Sequence, residues 1–121
     1  MQRLVTLLLL SFTPWIALPA PAVNEAWYQQ VWCDGIGGRT EAELDSGQRV
    51  DCLTETYAIE MDFAHKWTEA IGQSLQYALL TERKAGIVLI LESAQDKRHL
   101  ALARRVISHY KLPVTLWPLG P

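Results

Sequence analysis

Cysteines, histidines and nucleotide-binding glycine patterns are scarce in this chain, and each shortage removes a class of chemistry. Two cysteines, Cys33 and Cys52, and three histidines, His65, His99 and His109, occur in 121 residues. Neither cysteine has a CxxC partner and the histidines are scattered, which argues against a zinc site built from them. Gly35, Gly37 and Gly38 lie close together, but there is no GxGxxG and no Gly-Lys-Ser/Thr after them. They read as a flexible turn rather than a phosphate cradle. Basic excess is missing too: 11 Lys and Arg against 13 Asp and Glu give a formal charge of −2. A general polyanion-binding surface is thereby excluded, and any nucleic-acid contact must be local. No repeat, low-complexity tract or linker divides the chain.

What is present begins with an apolar N-terminus. Arg3 precedes an apolar run over residues 4–10 that continues weakly to Leu18, and Ala20, Pro21 and Ala22 supply small residues at signal-peptidase spacing. Pro14 and the modest length argue against a membrane-spanning anchor. Residues 1–22 therefore read as a cleaved secretory signal, with an uncleaved apolar N-terminal helix as the other reading. Cleavage after Ala22 leaves residues 23–121, 99 in all, with 10 basic residues against 13 acidic and a net charge of −3. That is one small domain, exported to the periplasm or secreted, with no stable membrane anchor. There, Cys33 and Cys52 either form one disulfide tying the glycine turn to a hairpin or stay as two buried thiols.

Residues 49–77 carry the most suggestive pattern. Residues 49–54 are β-prone around Asp51, and residues 57–63 alternate. Ile59, Met61 and Phe63 share one face of that strand, and Ala58, Glu60 and Asp62 the other. Either carboxylate can then meet Asp51 from a neighbouring strand. From His65 to about Thr81 the period becomes helical, with Trp67, Ile71, Leu75 and Ala78 as the core stripe. Lys66, Ala70, Gln73 and Tyr77 form a second stripe flanking it, at the edge of the sheet face; a solvated face with a tyrosine at its margin is the plain alternative.

Elsewhere, residues 24–32 form a helix capped by Asn24, with Trp27, Val31 and Tyr28 inward. Residues 40–44 pair with 49–54 as a hairpin around Asp45, Ser46 and Gly47. The run AGIVLIL over residues 85–91 suits a strand covered on both faces. Residues 96–110 are amphipathic, with Leu100, Ala103, Val106, Ile107 and Tyr110 inward, and residues 113–117 form a last short strand before the tail at 118–121.

The resulting α/β order, an αβββαβ core with an added helix and short strand, resembles the PD-(D/E)XK nuclease superfamily. Three matches carry the resemblance. Gly47, Gln48, Arg49, Val50 and Asp51 are similar to the G-x-x-x-D element of its RecB-like and lambda-exonuclease-like branches. Ile59, Glu60 and Met61 match the second strand. Gln73 to Tyr77 has the form of the Q-x-x-x-Y helix motif, and Glu41 matches an acid that often precedes the hairpin. The match spans residues 37–91.

The resemblance implies a restriction-endonuclease-like fold and a metal-dependent nuclease hydrolysing phosphodiester bonds in nucleic acid. Asp51 and Glu60 would bind Mg²⁺ or Mn²⁺ as hard oxygen ligands, with Asp62 or Glu41 added directly or through water. The motif's lysine position is occupied by Asp62, so Lys66 would bring its amine to the same place. Gln73 and Tyr77 would orient a phosphate or that lysine. A domain this small needs a homodimer or a protein partner to grip a duplex. The competing expectation is a non-catalytic binding protein that keeps the fold.

Overall fold

The apolar run after Lys84 becomes an inner strand of a mixed sheet because both of its faces are covered. The computed structural model describes residues 24–121; residues 1–22, expected from the sequence to be a cleaved signal, lie outside the described residues. Strands β1 (Arg39–Glu43), β2 (Arg49–Leu53), β3 (Tyr57–Phe63), β4 (Lys84–Ile90) and β5 (Val114–Leu119) lie in that order in one sheet. Helices α1 (Glu25–Gly35), α2 (Trp67–Thr81) and α3 (Lys97–His109) cover it, with short 3-10 turns at Ala64–Lys66 and Ala94–Asp96 leading into α2 and α3. The β1–β2 and β2–β3 pairs are antiparallel, and β3–β4 and β4–β5 are parallel. Parallel neighbours need crossovers, and α2 and α3 are those crossovers.

Alternation sorts the core into two faces. Ile87, Leu89 and Leu91 pack with Ala70 of α2 and with Leu100 and Ala103 of α3. On the other face Ile59, Met61, Val88 and Ile90 pack with Cys33 of α1 and with Trp117. Gly86 is required on that second face: a Cβ there would lie 2.8 Å from the Trp117 ring and 3.0 Å from Ile59. The molecule is thus three-layered, α1 on one side of the sheet, α2 and α3 on the other.

Cys33 and Cys52 form a disulfide with a Cα–Cα distance of 5.7 Å. It ties α1 to β2, and it sets how α1 is rotated. The stripe facing the sheet is Glu25, Gln29 and Cys33, at i, i+4 and i+8, with Gln29 and Cys33 buried. Of the three residues expected inward, Trp27 and Val31 are exposed at 53% each, while Tyr28 packs on the core as expected, joined by Trp32.

Two other helices turn differently from expectation. On α2 the buried residues are Ala70, Ser74 and Tyr77, with Trp67 and Ile71 packed at the margin and Leu75 half-buried. Small side chains let α2 approach the sheet closely, and Ser74 stays satisfied by donating its hydroxyl to the Ile71 carbonyl at 2.9 Å. On α3, Tyr110 is 70% exposed because the helix ends at His109. The last strand runs on to Leu119, since its edge position tolerates Pro118.

Candidate active site

The site begins where the β2–β3 ladder stops. Only Cys52 with Ile59 and Leu53 with Ala58 are paired. Beyond Cys52 the strands part, and the Asp51 carboxylate accepts the Met61 backbone N–H at 2.8 Å in place of a ladder bond. A side chain thus enters the sheet where backbone would otherwise sit.

On β3 the alternation places Glu60 and Asp62 on one face, 5% and 6% exposed. Asp62 accepts the Phe63 N–H at 2.8 Å. Its Oδ1 also lies 3.8 Å from the Lys66 Nζ, and the Lys66 side chain is 46% exposed. Glu60 has no such partner, and its Oε2 is buried without a hydrogen bond. Buried acids lacking donors resist ionisation.

The electrostatics follow directly. Burial first, then the Asp51 charge and a hydrogen bond to Asp51, and beyond these Asp62 and Glu25, push the Glu60 carboxyl from its ordinary 4.5 up to about 10. It is protonated at neutral pH and can donate to Asp51. Burial raises Asp51 to about 6, against the Met61 N–H and the Glu60 hydrogen bond, which pull it down; Glu41 and Asp62 add to the rise. Burial, then Asp62 and Asp51, raise Glu25 to about 7, with Lys66 opposing. Burial and the Glu60, Asp51 and Glu41 charges lift the Tyr77 phenol to about 12, so it stays a neutral donor.

The expected site residues are therefore distributed as follows. Asp51, Glu60, Asp62 and Lys66 gather at the split in the sheet. Tyr77, expected at the margin of α2, is a core residue packed with Ala42, Val50, Leu53 and Ala58, yet near enough to feel three of the acids. Glu41 is exposed and stands within β1 at φ 51°, a left-handed conformation that costs a non-glycine residue about 1–3 kcal/mol. Gln73 is half-buried on α2 and makes no side-chain hydrogen bond among the described residues.

Glu25 was missed. It belongs to the site because α1 is pinned by Cys33 next to Asp51, and two helical turns back its carboxylate reaches Asp62. The signal was the Glu25, Gln29, Cys33 spacing, readable only once the disulfide is known. Gln29 holds Glu25 in place, its Nε2 donating to Oε1 at 3.0 Å.

The acids repel and are not tightly clustered: among the described residues no group of three or more His, Cys, Asp or Glu side chains could hold a metal ion. A cation here would take at most two of these carboxylates as they stand, with backbone carbonyl or water oxygens completing its shell, a division of ligands usual for Mg²⁺. No family model matches this chain, and no curated protein or solved structure does either.

Proposed function

We propose that the chain is an exported, divalent-metal-dependent phosphodiester hydrolase acting on nucleic acid, built on a restriction-endonuclease-like αβββαβ core. The single observation that carries this is Glu60: a buried carboxyl, one oxygen unpartnered, set beside Asp51 where the sheet opens. Such a pair is costly for a structural role and well suited to a hard cation, which supplies the missing positive charge. Asp51 and Glu60 are the residues that would hold Mg²⁺ or Mn²⁺. The cation, when bound, supplies Lewis-acid polarisation of a phosphoryl oxygen.

The chain's own groups support the rest. Asp51 is oriented by the Met61 N–H, and removing that bond would free its carboxylate to swing. Lys66 stands at the rim over Asp62, half in solvent, where its ammonium can meet a phosphate oxygen. Glu25 faces that rim beside Asp62, and its carboxyl, raised to about 7 by burial and by Asp62 and Asp51, can take up or release a proton near neutral pH. Tyr77 is packed in the core near Glu60, Asp51 and Glu41, with its phenol held neutral. The disulfide fits an oxidising compartment, and no helix among the described residues is long and apolar enough to cross a membrane.

A second reading, a non-catalytic binding protein with the same fold, is favoured by Asp62, which stands where the motif would have its lysine and has its carboxylate 3.8 Å from Lys66. Incubating the mature domain with single- and double-stranded DNA and RNA in Mg²⁺ or Mn²⁺ separates the two. Cleavage that disappears in Asp51→Ala and Glu60→Ala supports the hydrolase. A folded wild type with no cleavage of any of these leaves the binding protein.

A further inference from the structure

The charges of this chain are segregated along its length. All 13 acidic residues lie at or before Asp96, whereas Lys97, Arg98, Arg104, Arg105 and Lys111 follow it with no acid among them. Residues 24–96 thus carry a charge of −8, and residues 97–121 carry +5, His neutral. Four of the five cations belong to α3 and all five are exposed. None forms an ion pair among the described residues, where the one ion pair is Lys66 with Asp62. A net charge near zero over the whole molecule therefore conceals a strongly basic helix.

The helix is also aimed. Leu100 and Ala103 face the core, so the opposite face presents Arg98, Ala101, Leu102, Arg105 and His109 at i, i+3, i+4, i+7 and i+11. Arg98 and Arg105 are two turns apart, about 10 Å along the axis, close to the rise of three nucleotides on one strand of a duplex. Phe63 is in register with Ile90, so the chain enters α3 from the same sheet end at which Asp62 and Lys66 stand, and α3 packs on the 3-10 turn ending in Lys66. The two acids at its mouth are Glu92, which is exposed, and Asp96, whose carboxylate is occupied by the Glu92 N–H at 2.9 Å.

We infer that the outer face of α3 is a phosphate-backbone track that carries a nucleic-acid strand into the acidic centre, with Arg98 and Arg105 as its principal contacts and Lys66 at its inner end. This rests on the reading of the site as a phosphodiester hydrolase and names the surface that presents its substrate. An anionic lipid surface is the less suited partner, because Leu102 is the one large apolar side chain on that face.

The test is fluorescence anisotropy of a labelled DNA duplex and of its single strand, in EDTA, across a salt series. The expected result is binding whose log–log salt slope falls by about 1.4–1.8 in Arg98→Gln/Arg105→Gln, with affinity at low salt reduced about tenfold or more. Arg98→Lys/Arg105→Lys should keep the wild-type slope. Arg39→Gln/Arg83→Gln, at the far end of the sheet, should stay within about twofold of wild type. No DNA binding by wild type, an unchanged slope in the α3 glutamine variant, an equal loss in the Arg39 and Arg83 variant, or α3-dependent binding to phosphatidylglycerol vesicles with none to DNA each overturns it. The two readings fail separately. An α3-dependent slope without Mg²⁺-dependent cleavage keeps the track and removes the hydrolase, and cleavage with an α3-independent slope does the reverse.

Discussion

Glu60 is buried, carries an unpartnered oxygen and holds its proton up to about pH 10. With Asp51 raised to about 6 and Glu25 to about 7, it makes the metal-free protein respond to pH in one direction. All three bind protons more tightly folded than unfolded, so across this range the unfolded chain holds fewer protons and stability falls as pH rises. Their full contribution is present below the unfolded values of 3.8 and 4.5. It is lost first as Asp51 titrates towards 6, next as Glu25 titrates towards 7, and last through Glu60. Thermal melts in EDTA should therefore show a higher transition temperature at pH 5 than at pH 8. Glu60→Gln should raise stability at pH 8 by at least about 1 kcal/mol, or 4–8 °C for a domain this size. A flat profile, or a Glu60→Gln variant less stable than wild type at pH 8, would contradict the account of the buried acids.

At the scale of elements, the disulfide does two things: it closes a 19-residue separation and it rotates α1 so that Glu25 reaches Asp62. Chain-entropy reasoning assigns such a closure about 3 kcal/mol. Cys33→Ser/Cys52→Ser should lose about that much in urea denaturation, and the part of the pH profile near 7 that belongs to Glu25 should shrink with it. Loss of stability with that step unchanged would mean that α1 is held by its packing alone. Gly86→Ala tests the sheet instead, because its methyl would press on Trp117 and Ile59; overpacking of this kind costs about 1–3 kcal/mol.

Among the described residues, the order of the α-helices and strands, the faces of β3 and the covered β4 were legible because period-two alternation and apolar runs are local signals. The rotations of α1 and α2 were not. Trp27 and Val31 made a plausible inward pair, but the Cys33–Cys52 bond outranks a modest apolar stripe. On α2 the small residues Ala70 and Ser74 outranked Leu75, because close approach to the sheet gains more contact than a bulkier side chain at the margin. Tyr110 was placed inward by extending a periodicity one residue past the helix end. Glu25 was invisible for the same reason as α1's rotation, since its place depends on a contact distant in sequence.

For the whole molecule, the sheet parts between β2 and β3 beyond Cys52, the acids gather at that opening, and α3 carries four exposed cations. On the proposed reading, that separation of charge would let a chain with a net charge of −2 meet a polyanion through α3. On the same reading the acidic centre would take a counter-charge besides Lys66, whose ammonium is already beside Asp62. The central claim is that the counter-charge is a divalent cation held by Asp51 and Glu60. Calorimetric titration of Mg²⁺ and Mn²⁺ into wild type, Asp51→Ala and Glu60→Ala, each shown to be folded at the same pH, tests it most directly. The account predicts saturable binding with proton release by wild type and its loss in both variants. No binding by wild type, or equal binding by all three, would contradict it.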